Sequence, residues 1–189
     1  EAADAVFTGE ADEDGPGRWR MSAGRALPDS WPVRVGPVTM TCRLTRFRHL
    51  GLFPEQRPHW EAMAARVRRR ARAGAAPEVL NLFGYTGAAS LLLAEAGARV
   101  THVDASRKAI AWARDNQEAS GLSDRPVRWL CEDAGKFVAR EVRRGRRYDG
   151  ILLDPPKFGR GPRNETFNIL EDLPALMADC RRLLDAESD

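Results

Sequence analysis

One stretch, residues 78–104, constrains the fold of this chain more than any other feature of its sequence. A short apolar run leads into a turn with glycines at positions 84 and 87, and an Ala/Leu-rich segment follows. A second run, rich in β-branched residues, closes on Asp104. This order predicts a strand, a glycine turn, a helix and a second strand that ends in a carboxylate. Asp104 follows the turn by about 20 residues, the spacing at which a carboxylate grips a ribose, so a nucleotide-like cofactor is expected here.

The composition indicates one globular domain with room for a small appendage. Of the 189 residues, 43% are hydrophobic and 30% are charged, which is enough apolar material for a sizeable core. The net charge of +3 is a mild basic bias that permits nucleic-acid binding without requiring it.

Cysteine usage and the length of apolar runs bear on compartment and metal binding. The three cysteines, at positions 42, 131 and 180, are scattered and never in CxxC spacing. Free thiols are therefore expected, with neither a disulfide framework nor a zinc site. No apolar run reaches the roughly 18 residues of a membrane span. We expect a cytoplasmic protein with no metal and no membrane partner.

Residues 1–50 predict a small N-terminal antiparallel β appendage. Short strands are expected near Val6 and at 18–21 and 31–35, and residues 38–45 alternate in the way typical of a strand with one buried face. Most of residues 1–17 is acidic and rich in turn formers, which predicts a surface loop. A cofactor-binding domain is expected over residues 51–189.

Strands and helices alternate along the rest of the chain. Strands are expected to end near Phe83, Asp104, Cys131 and Asp154. Helices are expected from about Trp60 to Arg72, at 106–120 and 136–144, and at 166–184 after a loop at 159–164. This alternation predicts an α/β fold with a parallel sheet, which binds its ligands at the carboxyl ends of the strands. The candidate polar groups all lie at such ends: the 84–87 turn, Asp104, Asp133 and Asp154.

The glycine turn departs from the dinucleotide-binding pattern. That pattern is GxGxxG, whose glycines allow a pyrophosphate to approach the backbone closely. Only Gly84 and Gly87 are present here, with the bulky Tyr85 between them. S-adenosylmethionine fits better, because it offers a ribose to Asp104, an adenine amino group to Asp133, and a methionine tail to Asn81 and the amides of the turn.

These residues resemble a known family. The segment 81–87, together with Asp104, Asp133 and the segment 154–158, resembles class I S-adenosylmethionine-dependent methyltransferases. More narrowly, it is similar to the group that contains the large-subunit ribosomal RNA cytosine-5 methyltransferases. Residues 51–57 resemble the Gly-x-Phe-x-x-Gln-Arg segment that precedes the catalytic domain in that group. The resemblance covers residues 38–170 and implies a Rossmann-like class I methyltransferase sheet.

The resemblance also implies roles for individual residues. Those expected to hold the methionine part of the cofactor are Asn81, Phe83, Gly84, Tyr85, Thr86 and Gly87. Asp104, Ala105 and Ser106 are expected at the ribose, and Asp133 and Ala134 at the adenine. Phe53, Gln56 and Arg57 are expected to close over the cofactor. The catalytic set is Asp154, Pro155, Pro156 and Lys157, which shape the wall where the acceptor meets the methyl group for an in-line displacement.

Simpler structural roles are open for several of these residues. Ser106 is suited to cap the helix at 106–120, and Asp104 and Asp133 are each equally suited to cap the helix that follows. Lys157 suits solvent as well as an RNA phosphate or the substrate, and His102 is expected in the core. The arginine runs at 66–72 and 140–147 predict solvent-exposed helix faces more readily than RNA contacts.

The sequence departs from the family pattern at its C-terminal end. Cytosine C5 is a poor nucleophile, so the related enzymes activate it with a cysteine thiolate that attacks C6. In the family this cysteine follows the fifth strand, and the sequence reaches Asp189 with four. We expect a chain that lacks the C-terminal strands of its domain, although an acceptor other than cytosine C5 would also fit. Three interpretations remain: an RNA methyltransferase, a methyltransferase for a protein or small molecule, and a non-catalytic cofactor- or RNA-binding module.

Overall fold

The computed structural model describes residues 3–9, 17–46 and 48–184. Ten strands and five helices are found in this part of the chain. In chain order they are β1 (Ala5–Gly9), β2 (Gly17–Met21), β3 (Trp31–Val35), β4 (Val38–Cys42), α1 (Arg57–Arg72), β5 (Glu78–Leu82), α2 (Ala88–Glu95), β6 (Arg99–Asp104), α3 (Arg107–Ala119), β7 (Val127–Cys131), α4 (Ala134–Arg143), β8 (Gly150–Leu153), β9 (Phe158–Arg160), β10 (Thr166–Asn168) and α5 (Ile169–Leu183). One turn of 3₁₀ helix, Pro54–Gln56, precedes α1.

The central sheet has four parallel strands in the order β7-β6-β5-β8. The chain steps from β5 outward to β6 and β7, and then returns to the other side of β5 for β8. This reversal is the topological switch point of an open α/β sheet, where ligands bind beyond the carboxyl ends of the strands. The predicted α/β, Rossmann-like fold is confirmed.

Burial explains the apolar composition of the stretch that begins at residue 78. Strand β5 is buried from Val79 to Leu82, and α2 is buried from Ala88 to Ala94. The helix packs between the sheet, α1 and β4, so Ala and Leu cover nearly its whole circumference. A helix that is apolar all round is stable only in such an enclosed position.

The N-terminal strands form two antiparallel hairpins, β1–β2 and β3–β4, as predicted. The second hairpin shares one apolar cluster with α1 and α2, to which it contributes Val38 and Met40. Its second strand, β4, is also bonded to α3, because Thr41 N–H donates to Asn116 Oδ1 at 2.9 Å and Trp112 Nε1 donates to Thr41 O at 2.9 Å. A domain boundary at residue 50 remains a prediction, and these contacts favour grouping β3 and β4 with the sheet.

Residues 158–168 differ from their predicted structure. The expected loop at 159–164 is instead part of a short hairpin, in which β9 pairs antiparallel with β10. Helix α5 begins at Ile169, three residues later than predicted, because Asn168 caps it by accepting a hydrogen bond from Leu170 N at 3.2 Å. Strands of three residues are too short to show a period of two, so the sequence pattern does not reveal them. The expected acidic loop falls largely on residues 10–16, which lie outside the described residues.

Candidate functional site

Four polar features meet at the carboxyl edge of the sheet. In spatial order they are Asp133 after β7, Asp104 at the end of β6, the 83–87 loop after β5, and Asp154 after β8. Neighbouring strands lie about 4.8 Å apart, so the row is about 14 Å long. The sequence therefore predicted the strand ends correctly, and the topology brings them together in this order.

The 83–87 loop has an unusual backbone. Phe83, Tyr85 and Gly87 have φ angles of 56°, 50° and 88°, all in the left-handed region. For residues other than glycine this conformation costs about 1–3 kcal/mol each, and it persists only where the surroundings impose it. Here the loop is held by Gly84 N–H, which donates to Val103 O at 3.2 Å, and by Thr86 Oγ1, which donates to Gly51 O at 2.6 Å.

A buried polar network supports the loop from below. Asn81 Nδ2 donates to Ser90 Oγ at 2.9 Å, and Ser90 Oγ lies 2.9 Å from Nδ1 of the fully buried His102. Burial lowers the pKa of His102 to about 3, although the Tyr85 backbone opposes this shift, so the imidazole is neutral near pH 7. Asn81, expected at the methionine tail, therefore has its amide nitrogen engaged inside the protein. Its contact with a cofactor remains a prediction.

The Asp104 carboxylate joins the loop to the start of α3. It accepts hydrogen bonds from Tyr85 N–H and Ser106 N–H, both at 2.8 Å. Burial raises the pKa of Asp104, and the same two hydrogen bonds oppose that shift. An ionised carboxylate has about four acceptor positions, so two remain for hydroxyl groups of a ligand.

Ser106 and Asp133 cap the helices that follow them, whereas Asp104 does not. Ser106 caps α3 by accepting from Ala109 N at 3.2 Å, and Asp133 caps α4 by accepting from Lys136 N at 2.9 Å. The Asp104 carboxylate instead accepts from Ser106 N–H. Ala105 is partly buried and Ala134 is buried. Capping uses only Oδ1 of Asp133, so the structural role does not exclude a second contact to a ligand.

The segment before α1 reaches the opposite end of this row. The Glu55 carboxylate lies close enough to Asp154 to raise the pKa of that carboxyl group, in addition to the larger effect of burial. The Phe53 ring contacts the Tyr85 ring, with centroids 5.5 Å apart. The segment that resembles Gly-x-Phe-x-x-Gln-Arg is therefore adjacent to both the glycine loop and Asp154.

The remaining residues of that segment and of the predicted acceptor wall are placed as follows. Gln56 is partly buried, and its N–H donates to Phe53 O at 3.1 Å. Arg57 Nε forms an ion pair with Glu61 Oε1 at 2.6 Å on the exposed face of α1. Pro155 is partly buried and Pro156 is exposed. Lys157 is also exposed, with Nζ 5.9 Å from the centre of the Phe158 ring.

The β9–β10 hairpin is a part of the site that the sequence interpretation missed. Phe167 packs on Phe83 of the loop, with ring centroids 5.0 Å apart. Glu165, in the hairpin turn, forms an ion pair with Lys136 of α4 at 2.7 Å. The hairpin thus connects the loop after β5 with the first turn of α4. Phe158 and Phe167, on either side of a Gly- and Pro-containing segment, were the available signal.

Most paired arginines of the two runs lie away from this edge, but Arg140 forms an ion pair with Glu132, which directly precedes Asp133. On α1, Arg68 pairs with Glu95 and Arg70 with Asp149, at 2.7 and 2.8 Å. Beyond α4, Arg144 pairs with the buried Glu141 at 3.2 Å. Asp149 precedes β8 and Glu95 ends α2, so these pairs mark the amino edge of the sheet. A cavity of about 270 Å³ at the same edge is lined by Glu78, Arg99, Val100, Thr101, Pro126, Val127, Arg128 and Arg146.

Within residues 3–9, 17–46 and 48–184, no group of three or more His, Cys, Asp or Glu side chains is arranged to hold a metal ion. None of the helices in these ranges combines the length and apolar character required to span a bilayer.

Comparison with known proteins places the chain in a family. The model of the S-adenosylmethionine-dependent methyltransferase family matches residues 20–189. The crystal structure of the SAM-dependent methyltransferase from Agrobacterium tumefaciens is similar to this chain, with a TM-score of 0.91 and 51% identity over 98% of this chain and 57% of that one.

Two curated relatives carry the name ribosomal RNA large subunit methyltransferase K/L. The protein from Stutzerimonas stutzeri (strain A1501) is 37% identical over 147 residues, which are 77% of this chain and 19% of the relative. The protein from Ectopseudomonas mendocina (strain ymp) is 35% identical over 149 residues, 74% of this chain and 18% of the relative. The chain thus spans less than a fifth of these relatives. Since the family model and the fold agree over most of its length, this chain belongs to the S-adenosylmethionine-dependent methyltransferase family.

Proposed function

We propose that this chain binds S-adenosylmethionine along the carboxyl edge of its sheet and takes part in methyl transfer to a base of RNA, with ribosomal RNA as the substrate. The observation that carries the proposal is the order of the four polar features. Asp133, Asp104, the 83–87 loop and Asp154 form one row across the adjacent strands β7, β6, β5 and β8.

The chemistry of this row fits the cofactor part by part. At one end, Asp133 and the backbone beside the buried Ala134 suit the adenine amino group. Asp104 keeps two free acceptor positions for the ribose hydroxyls after it has bonded Tyr85 and Ser106. In the 83–87 loop, the amides of Gly84, Tyr85 and Gly87 already donate within the protein, so we assign the methionine carboxylate to Thr86 N–H. Each part of the cofactor thus meets groups of complementary hydrogen-bonding character.

Residues around Asp154 suit the acceptor. When bound, S-adenosylmethionine supplies an electrophilic methyl group on its sulfonium. The contribution of the chain is alignment, because an in-line displacement gains much of its rate from holding the reacting groups in register. Pro155 and Pro156 fix the backbone φ angles next to Asp154, which keeps the carboxylate in place. We assign Asp154 the role of accepting a hydrogen bond from the acceptor base, and Lys157 the role of contacting the substrate.

The substrate class rests on the relatives. Both curated relatives are named for the large-subunit ribosomal RNA. A cytoplasmic location follows from a ribosomal RNA substrate and is part of the proposal.

The test is transfer of labelled methyl from S-adenosylmethionine in the full-length protein. Total RNA, a protein extract and a small-molecule extract serve as parallel acceptors. We expect label in the RNA fraction, and loss of that label in Asp154→Ala with cofactor binding retained. Label in the protein or small-molecule fraction alone would contradict the RNA substrate. Cofactor binding without transfer to any fraction would indicate a non-catalytic module.

A further inference from the structure

A short loop after β4 carries three exposed arginines. Arg43, Arg46 and Arg48 are all exposed, and we call these three side chains the basic loop. The loop is closed by Arg43 N–H, which donates to Leu50 O at 3.0 Å. Residues 30–54 contain neither Asp nor Glu, and strand β2 joins the loop through Gly17 N–H, which donates to Arg46 O at 2.8 Å.

The basic loop differs in its pairing from the arginine runs. Within the residues that the structure describes, none of its three guanidinium groups forms an ion pair with a carboxylate. By contrast, Arg68 and Arg70 on α1 both have carboxylate partners. The described surface therefore leaves three positive charges at this loop for an external anion.

Arg43 is held in place by an aromatic ring. Its guanidinium carbon lies 3.7 Å from the centre of the Trp112 ring, and Trp112 is buried with its indole N–H donated to Thr41 O at 2.9 Å. A stacked guanidinium keeps its N–H edges available for an oxyanion while its orientation is already restricted. Little conformational entropy is then lost when it binds a phosphate.

The basic loop adjoins the cofactor edge. His49 packs on Phe53, and Phe53 packs on Tyr85, with ring centroids 5.0 and 5.5 Å apart. The backbone also connects them, because Thr86 Oγ1 of the glycine loop donates to Gly51 O at 2.6 Å. For Arg43, the Trp112 ring alone lies between its guanidinium group and the Tyr85 ring, because the centroids of Trp112 and Tyr85 are 6.2 Å apart.

We propose that Arg43, Arg46 and Arg48 bind backbone phosphates of the RNA whose base enters the site. This inference rests on the proposed function and names the surface that it requires. Clustered arginines next to aromatic rings are the combination that binds single-stranded RNA. Arg68 and Arg70 of the first run are paired at the amino edge, and Arg140 of the second run is paired with Glu132, whereas this smaller cluster is on the side where the base must arrive.

The test is the salt dependence of RNA binding by the full-length protein. The probe is a fluorescein-labelled, mixed-sequence single-stranded RNA oligonucleotide, followed by anisotropy over a range of KCl concentrations. Each lost phosphate contact lowers the slope of log K against log[salt] by about 0.7 for a single strand. The double variant Arg43→Gln/Arg48→Gln should therefore lower the slope by about 1.4 and the affinity at 0.1 M salt by about 25-fold.

Two matched variants and one parallel measurement complete the design. Arg69→Gln/Arg72→Gln removes two exposed arginines from the amino edge and should leave the slope unchanged. Arg43→Lys/Arg48→Lys keeps the charges and should restore most of the slope. Calorimetric titration with S-adenosylhomocysteine tests the proposed function separately, and the basic-loop variants should bind it as the wild type does. An unchanged slope in Arg43→Gln/Arg48→Gln, an equal loss in the amino-edge control, or no RNA binding by the wild type would overturn the inference.

Discussion

The substitution Gly84→Ala tests the packing of the glycine loop on its buried support. A Cβ atom at position 84 would lie 2.3 Å from His102 Cε1, 2.5 Å from His102 Nδ1 and 3.0 Å from Asn81 Nδ2. Favourable contacts between carbon atoms are about 3.5–4.0 Å long, so loop and ring must separate by more than 1 Å.

The His102 ring cannot readily make this space. It is fully buried, its centroid is 4.6 Å from the Trp129 ring, and its Nδ1 is 2.9 Å from Ser90 Oγ. Overpacking of this kind costs about 1–3 kcal/mol. For a chain of this size, that loss lowers Tm by about 2–12 °C. Because the loop must shift, the affinity for S-adenosylhomocysteine should fall as well.

Thermal unfolding and calorimetric titration measure the two effects. Gly150→Ala is the matched control, because a Cβ there meets no atom within 4 Å and the residue is outside the left-handed region. Its Tm should equal that of the wild type or exceed it slightly. The double variant Gly84→Ala/His102→Ala should be more stable than the sum of the single effects predicts, since the smaller side chain removes the clash. Equal Tm values for Gly84→Ala and the wild type would refute the packing argument.

Three further predictions follow from named contacts. The pKa of His102 is about 3 in the folded protein, below its ordinary 6.5. As pH falls, the unfolded state therefore binds a proton at this histidine before the folded state does. The contribution of neutral His102 to the free energy of unfolding is complete above about pH 6.5 and declines by about 1.4 kcal/mol per pH unit below it. In urea unfolding at several pH values, the free energy of unfolding of His102→Gln should lack this pH-dependent decline, and an equal pH dependence in the variant and the wild type would contradict the argument. Asn116→Ala removes hydrogen bonds to Thr41 N and Thr86 O, at 2.9 and 3.0 Å in a fully buried position. It should lower the free energy of unfolding by about 2–5 kcal/mol, whereas the exposed control Asp115→Ala should change it little, and equal losses would argue against a specific link. Glu55→Gln removes a negative charge that raises the pKa of Asp154. Since the proposed transfer needs the Asp154 carboxylate, the acid limb of the methyl-transfer pH profile should move to lower pH in Glu55→Gln. An acid limb at the same pH as in the wild type would contradict the role proposed for Asp154.

Much of the fold was predictable because it depends on local patterns. The 78–104 stretch combines apolar runs, turn glycines and a terminal carboxylate within one supersecondary unit, and the structure reproduces it as β5, α2 and β6. The cap at Ser106 was likewise predictable, since capping is a contact across three residues.

Other features depend on contacts that no local pattern encodes. Arg68 is paired with Glu95, which is 27 positions away, so the arginine run alone could not indicate whether its charges are neutralised. The support under the glycine loop joins Asn81, Ser90 and His102 from three elements. The basic loop has fewer arginines than either run, and its position at the cofactor edge emerges only from the aromatic contacts of Phe53 and Tyr85.

The central claim is that the row of groups at the carboxyl edge holds S-adenosylmethionine. The most direct measurement is calorimetric titration of the full-length protein with S-adenosylhomocysteine, repeated with Asp104→Ala. We predict one site per chain in the wild type and an affinity at least tenfold weaker in the variant, because the ribose loses hydrogen bonds to a charged acceptor worth about 1.5–3 kcal/mol. No binding by the wild type, or equal affinity in Asp104→Ala, would contradict the account.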